Sequence, residues 1–336
     1  MKAVAYTHCR PVSDPEALVD IELPEPLPRH RELLVEVKAI SVNPVDTKLR
    51  RHADPVGEPR ILGFDAAGIV RGLGPEVTHF GLGDHVFYAG NIGRPGSYAE
   101  FQLVDERIVG RKPHHLSWAQ AAAIPLTGLT AWEMLFDRLQ VPQRGAEVRS
   151  LLIIGAAGGV GSIATQLASR LTALRVIATA GSPESKDWCL KMGAHAVIDH
   201  HGDIPSQLAA LGHRNVDYIF GITASDHHWP AIARAIRPQG KVGLIDDPQH
   251  LDILELKPKS VSLHWEGVFT RSSFETEDMI AQHHILNRLA ALFDDGTLQS
   301  TVSQHLGAIN AANLRHAHAL IEGGHVRGKL VLEGFS

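Results

Sequence analysis

Hydrophobic positions along this chain follow two different rhythms. Over roughly the first 115 residues, short apolar or alternating runs at Lys2 to Tyr6, Leu33 to Val42, Ala66 to Leu73, His85 to Ala89 and Tyr98 to Val104 are separated by turn-rich stretches such as PEPLPRH and GLGDH. Such runs between Pro and Gly clusters predict a compact, mostly β unit. Ser117 followed by Gln120 has the form of a capping box, which predicts a short helix ended by Pro125 and a second helix over Gly128 to Leu139. From residue 151 the rhythm changes to alternation of strand and helix. Strands fall near 151–154, 175–180, 196–199, 216–221, 240–246 and 261–269, with helical segments between the first five. One of these helices runs from Ser182, a capping residue followed by Pro183, to Met192. Six strands arranged this way are the complement of a doubly wound nucleotide-binding sheet. After Arg271 come an amphipathic helix over Glu277 to Phe293, a helix capped by Asn310 and a last strand over Lys329 to Leu332.

The segment Leu151 to Gly161, LLIIGAAGGVG, runs an apolar strand directly into a glycine turn that opens a helix. Gly155, Gly158, Gly159 and Gly161 let the backbone turn and approach a ligand closely, and the first N–H groups of the helix from Val160 are free to receive a pyrophosphate. The strand, turn, helix and second strand are the context that a dinucleotide site requires.

Composition narrows the remaining possibilities. A chain of 336 residues suits two domains rather than one core. A net charge of −5 and the lack of any basic block speak against a nucleic acid or anionic membrane partner. No apolar run approaches a membrane span and the first residues lack a hydrophobic signal region, so a cytoplasmic location is expected by default. Two distant cysteines, Cys9 and Cys189, predict neither a disulfide framework nor a cysteine-built zinc site. The 21 histidines include the pairs His114/His115, His200/His201, His227/His228 and His283/His284, whose adjacent side chains diverge and are expected at the surface.

The motifs SVNPVDTKLR (41 to 50), ILGFDAAGIV (61 to 70), GDHVF (83 to 87), AAAIPLTGLTAW (121 to 132) and VRGKLVLEG (326 to 334), with the central glycine turn, resemble the medium-chain dehydrogenase/reductase superfamily over essentially the whole chain. Within it the chain looks most like the zinc-independent quinone oxidoreductases and the bacterial group labelled zinc-type alcohol dehydrogenase-like. The resemblance implies an α/β fold: a six-stranded doubly wound Rossmann domain over 126–271 and a GroES-like, mostly β catalytic domain over 1–125 and 272–336. In zinc alcohol dehydrogenases the metal ligands stand where this chain has Asn43, Phe64 beside Asp65, and Ala123. None of Asn43, Phe64 and Ala123 is a zinc ligand, and the four-cysteine structural lobe is missing, so no metal is expected.

The resemblance also implies site residues. Asn43, Asp46, Lys48 and Thr127 are the catalytic candidates, with Asn43 expected to donate to a substrate carbonyl and Thr127 to lie beside the nicotinamide. Asp46 and Asp65 also suit buried structural acids holding an Arg or a backbone amide. A tyrosine common in quinone oxidoreductases is replaced by Lys48, leaving Lys48, His52 or water to deliver a proton. Gly155, Gly158, Gly159, Val160, Gly161, Ser182, Lys186, His200, Ile245, Asp246, Val268, Thr270 and Lys329 are the candidate cofactor neighbours. Because the second strand ends in Ala180, Gly181 and Ser182 with no acid for a ribose hydroxyl, NADPH (NADP+) is favoured over NADH. The leading expectation is reduction of a quinone or α,β-unsaturated carbonyl. An alcohol or carbonyl dehydrogenase, an enoyl-thioester reductase and a non-catalytic NADPH-binding redox sensor are the alternatives. The only basic residues near a thioester entrance would be Arg50, Arg51 and Arg60. The strand at Val261 to Val268 resembles the sheet edge through which family members pair, so a homodimer is expected.

Overall fold

The computed structural model describes residues 1–143 and 148–336. The described chain divides into one unit over Met1–Leu129 and Phe269–Ser336 and a second over Thr130–Val268.

The first unit is built on a sheet whose strands run in the order Val302–His305, Lys329–Glu333, Glu32–Val42, Ala66–Leu73, His85–Tyr88 and Val109–Arg111, with Phe101–Asp105 also paired to Glu32–Val42. A smaller sheet joins Val19–Glu22, Lys2–Tyr6 and Arg60–Ile61. The long strand Glu32–Val42 is central because its side chains are almost all buried, and the C-terminal strand Lys329–Glu333 pairs antiparallel beside it, Leu330 opposite Val42. The strands at Val19–Glu22, Arg60–Ile61, Val109–Arg111 and Val302–His305 have no counterpart in the expected pattern. They are two to four residues long, too short for a periodicity, and exist because a neighbour supplies their ladder.

Ser117 caps the short helix Trp118–Ala122 through the expected box, its hydroxyl receiving Gln120 N–H at 3.1 Å while Gln120 Oε1 receives Ser117 N–H at 3.0 Å. Pro125 does not end that helix but opens the next one, Pro125–Trp132, which begins earlier than Gly128. Proline fits a first helical position because it has no N–H to leave unpaired, and the next amide, Leu126 N–H, donates to Asp65 Oδ1 at 2.7 Å. Thr127 falls in the first unit, and Thr270 also lies there, opening the short helix Thr270–Ser273.

The second unit is a six-stranded parallel sheet of β1 (Ser150–Ile154), β2 (Arg175–Thr179), β3 (Ala196–Ile198), β4 (Val216–Gly221), β5 (Ile236–Leu244) and β6 (Ser262–Trp265) in the order β3-β2-β1-β4-β5-β6. This is the Rossmann strand order, whose reversal beside β1 opens a crevice at the carboxyl ends of the strands. Four helices connect the strands: α1 (Gly159–Leu171), α2 (Pro183–Lys191), α3 (Ile204–Ala210) and α4 (Ser225–Ala235). β1 is buried along its whole length, as a central parallel strand covered on both faces must be. β5 begins at Ile236, earlier than expected, and β6 ends at Trp265, short of Val268. Among the described residues no helix is long and apolar enough to cross a membrane.

Candidate active site

In the first unit the candidate residues form a buried polar network around Asp65. Its carboxylate is completely enclosed and receives Ser41 Oγ and Asn43 Nδ2, each at 2.7 Å, as well as Leu126 N–H. Lys329 Nζ lies 3.2 Å from Asp65 Oδ2 and donates to Val42 O at 3.1 Å and to Asn43 Oδ1. Burial pushes Asp65 above and Lys329 below their ordinary ranges, while each one's charge opposes the shift in the other. Asp65 is thus a buried acid as expected, with a lysine rather than an arginine as its cation. Lys329, expected among the cofactor neighbours, spends its ammonium group on this network.

Asp46 is the second enclosed acid. Its Oδ2 accepts Asn43 N–H at 2.7 Å at the start of helix Pro44–His52, and its Oδ1 accepts Gly63 N–H at 3.1 Å. Burial drives its carboxyl up to about 7. Tyr98 stands between Asp46 and a buried histidine, its hydroxyl 3.2 Å from His318 Nε2. His318 Nδ1 receives Arg50 Nε–H at 3.3 Å, and Arg50 also binds Glu322. Arg50 is therefore internal and contributes nothing to a basic entrance; it leaves the surface because this partner set satisfies its guanidinium. Burial and the Arg50 charge hold His318 down at about 3. Lys48 and His52 stand exposed on the same helix.

Asn43, 1% exposed, has both ends of its amide engaged by Asp65 and Lys329. Thr127 is also buried, its hydroxyl directed to Ala123 O at 3.3 Å and Ile124 O at 3.2 Å in the turn just before its own helix. Phe64 is packed edge-on against Phe269 with ring centres 5.2 Å apart, and Ala123 is fully enclosed. Among the described residues no group of three or more His, Cys, Asp or Glu side chains is placed to hold a metal ion.

In the second unit the glycine turn connects β1 to α1. Gly155 takes a positive φ of 85°, which a side chain would strain, and its N–H donates to Thr179 Oγ1 at 3.2 Å. Gly161 is the packing glycine: a Cβ there would lie 2.5 Å from both Ala156 Cα and Gly155 O. Gly158 is different, since a Cβ would meet only Gly155 O at 3.5 Å. That side of Gly158 opens to space beside an α1 N-terminus that no side chain caps. An uncapped helix start with a glycine face is a fit for the pyrophosphate of a dinucleotide, with Gly158, Gly159, Val160 and Gly161 supplying backbone.

At the end of β2, Ser182 caps α2 by accepting Ser185 N–H at 3.2 Å, and Lys186 extends into solvent from its first turns. His200 follows β3 and is half-buried. Ile245 and Asp246 follow β5; Asp246 accepts Ser225 N–H at 2.8 Å and Ser225 Oγ–H at 2.6 Å, holding the start of α4. Val268 is buried beyond β6 and Thr270 is exposed. The histidine pairs are not uniformly at the surface. His228 is buried and His200 and His283 are half-buried, because neighbouring side chains diverge and one of each of these pairs turns inward. The partners that the sequence did not show, Lys329 for Asp65 and Tyr98 with His318 for Asp46, lie more than two hundred residues apart along the chain in all but one case, beyond any local pattern.

Comparison with known proteins gives a consistent family picture. Residues 29–114 match the alcohol dehydrogenase GroES-like domain, and residues 159–283 match the zinc-binding dehydrogenase family. A zinc-type alcohol dehydrogenase-like protein of Staphylococcus aureus (strain MSSA476) is 42% identical over 313 residues, covering 92% of each chain. The crystal structure of a proposed zinc-dependent alcohol dehydrogenase protein from Rhizobium etli CFN 42 superimposes with a TM-score of 0.97 at 53% identity, covering 100% of this chain and 98% of the other. Escherichia coli quinone oxidoreductase complexed with NADPH superimposes with a TM-score of 0.84 at 26% identity, covering 99% of this chain and 100% of the other.

Proposed function

This chain belongs to the medium-chain dehydrogenase/reductase superfamily of oxidoreductases, and we propose that within it the protein is a metal-independent, NADPH-dependent reductase of quinones or α,β-unsaturated carbonyl compounds. The observation that carries this reading is the identity and state of residues 43, 64, 65 and 123. Asn43 is held in the buried network, Phe64 is packed against an aromatic ring, Ala123 has no donor, and Asp65 is neutralised by Lys329. Such a set cannot build a tetrahedral zinc site, which favours acceptors that need no metal alkoxide. A conjugated carbonyl takes hydride directly, because its delocalised system spreads the charge that develops.

The cofactor, when bound, supplies the hydride chemistry. The residues of the second unit that would hold it are the glycine turn for the pyrophosphate, Ser182 and Lys186 for a 2′-phosphate, and Ile245, Asp246 and Val268 around the nicotinamide. On this reading Asn43 positions the buried network of Asp65 and Lys329, and the exposed Lys48 and His52 are the proton donors, with water as the alternative. Support for a two-fold dimer comes from β6, which ends the sheet with an open ladder and carries Trp265 at 51% exposure.

The names of relatives favour a second reading, an alcohol dehydrogenase, and one experiment separates the two. Metal analysis of the purified protein is followed by NADPH oxidation against quinones, enones and aldehydes, and by NADP+ reduction with alcohols, each with and without a chelator. Turnover of quinones or enones, indifferent to chelator and without stoichiometric zinc, is expected. One equivalent of tightly held zinc, with alcohol oxidation lost on its removal, overturns the proposal.

A further inference from the structure

We propose that His200 and His201 form, with the Gly181–Ser182 turn, the subsite for the 2′-phosphate of the dinucleotide, and that this phosphate binds together with a proton taken from solvent. The inference rests on the nicotinamide-dinucleotide reading and assigns the residues that select between its two forms. Gly181 stands about 20 residues beyond the glycine turn, where a Rossmann sheet that prefers NAD presents an acid to the ribose hydroxyl. A Cβ built on Gly181 would lie 2.6 Å from His201 Nε2 and 2.7 Å from His200 Nε2. Two imidazole nitrogens therefore occupy the space in which an acidic side chain would begin. An acid there accepts from a hydroxyl; a pair of imidazoles donates to an anion.

The pair is held in place by its own turn. His201 N–H donates to Asp199 Oδ1 at 2.9 Å, and Gln207 of α3 ties the backbone of Asp199 from both sides, accepting its N–H at 2.8 Å and donating to its carbonyl at 2.7 Å. The two rings lie 4.4 Å apart, and His228 of α4 approaches His200 at 6.2 Å with His227 beside it. The titratable groups facing His200 are thus His201 and Asp199 on its own turn and His227 and His228 on α4, with Asp246 beyond His228. On α2, Glu184, Lys186 and Asp187 are the exposed charges of the adjoining first turns. Burial first, then the charges of His201 and His227, hold His200 below the ordinary histidine range, and Asp199 opposes them. Burial thus favours the uncharged form of His200 in the free protein. A phosphate dianion at Gly181 reverses that balance by stabilising an imidazolium, whereas a ribose hydroxyl does not.

Calorimetric titration of the intact protein with NADP+ and with NAD+ at pH 7.5, in buffers of different ionisation enthalpy, tests the idea. At this pH the phosphate is already mostly dianionic, so its own titration contributes little. NADP+ is expected to bind with roughly half a proton or more taken up beyond that seen with NAD+. In the double variant His200→Gln, His201→Gln the extra uptake should vanish and NADP+ should bind about tenfold more weakly, with NAD+ within about twofold of the parent. Retained NAD+ binding also shows that the variant is folded. Equal proton uptake for the two ligands, equal weakening of both, or binding of NAD+ alone overturns the subsite while leaving the dinucleotide reading intact. Binding of neither overturns both.

Discussion

Lys329 Nζ and Asp65 Oδ2 sit 3.2 Å apart, both buried, joining the C-terminal strand to the strand pair that carries the candidate site. Removing one member of such a pair leaves an uncompensated charge in the interior. Lys329→Met should therefore destabilise the protein by about 3–5 kcal/mol in urea unfolding. The double variant Lys329→Met, Asp65→Asn should recover part of that loss. A single variant as stable as the parent would show that the two groups are not ionised in the fold.

Asn43 bridges these two groups, accepting from Lys329 and donating to Asp65. Asn43→Ala should consequently lower stability by roughly 1–3 kcal/mol, the cost of leaving buried polar atoms without partners. It should also lower kcat/KM for a quinone or enone by roughly ten- to a hundredfold, with NADPH affinity little changed. Activity lost with no loss of stability would instead point to a direct role at the substrate alone.

The proton on Asp46 gives a pH dependence of definite sign. Burial raises its carboxyl from 3.8 to about 7, so the folded state retains a proton that the unfolded state has released in that interval. Stability from this group then falls as pH rises from about 4 to about 7. Asp46→Asn removes the dependence. Relative to the parent, the variant should gain roughly 2–3 kcal/mol between pH 5 and pH 8, read from urea unfolding at each pH. A constant difference across that range would show that Asp46 stays ionised in the fold.

Two glycines of the dinucleotide turn should separate binding from folding. A Cβ at Gly158 meets only one atom, at 3.5 Å, so Gly158→Val should fold normally and lose affinity for NADP+ and NAD+ alike by blocking the pyrophosphate. A Cβ at Gly161 would lie 2.5 Å from backbone of the turn, so Gly161→Val should lower the melting temperature before any binding is measured. The opposite pattern would relocate the phosphate site.

Lys186 is exposed, so its removal should leave stability unchanged. Lys186→Ala should weaken NADPH by roughly 1–2 kcal/mol in a fluorescence titration and spare NADH. Equal weakening of both would separate Lys186 from the 2′-phosphate.

The sequence by itself determined the Rossmann unit: six apolar strands at regular spacing, a glycine turn between the first strand and its helix, and caps at Ser182 and Asn310 that the structure reproduces. These features are local, because strand burial, helix capping and a tight glycine turn are each satisfied by residues within a few positions of one another. Tertiary structure alone decided how the buried charges are satisfied. Asp65 meets Lys329 across 264 residues and Arg50 meets His318 across 268, and no periodicity links such positions. It likewise turned Pro125 from a helix stop into a helix start, because the amide that follows it finds a carboxylate from another strand. Burial makes the difference in each case: a charge or an open helix end in the interior must find a partner in space, and the chain fold, rather than the neighbouring sequence, supplies it.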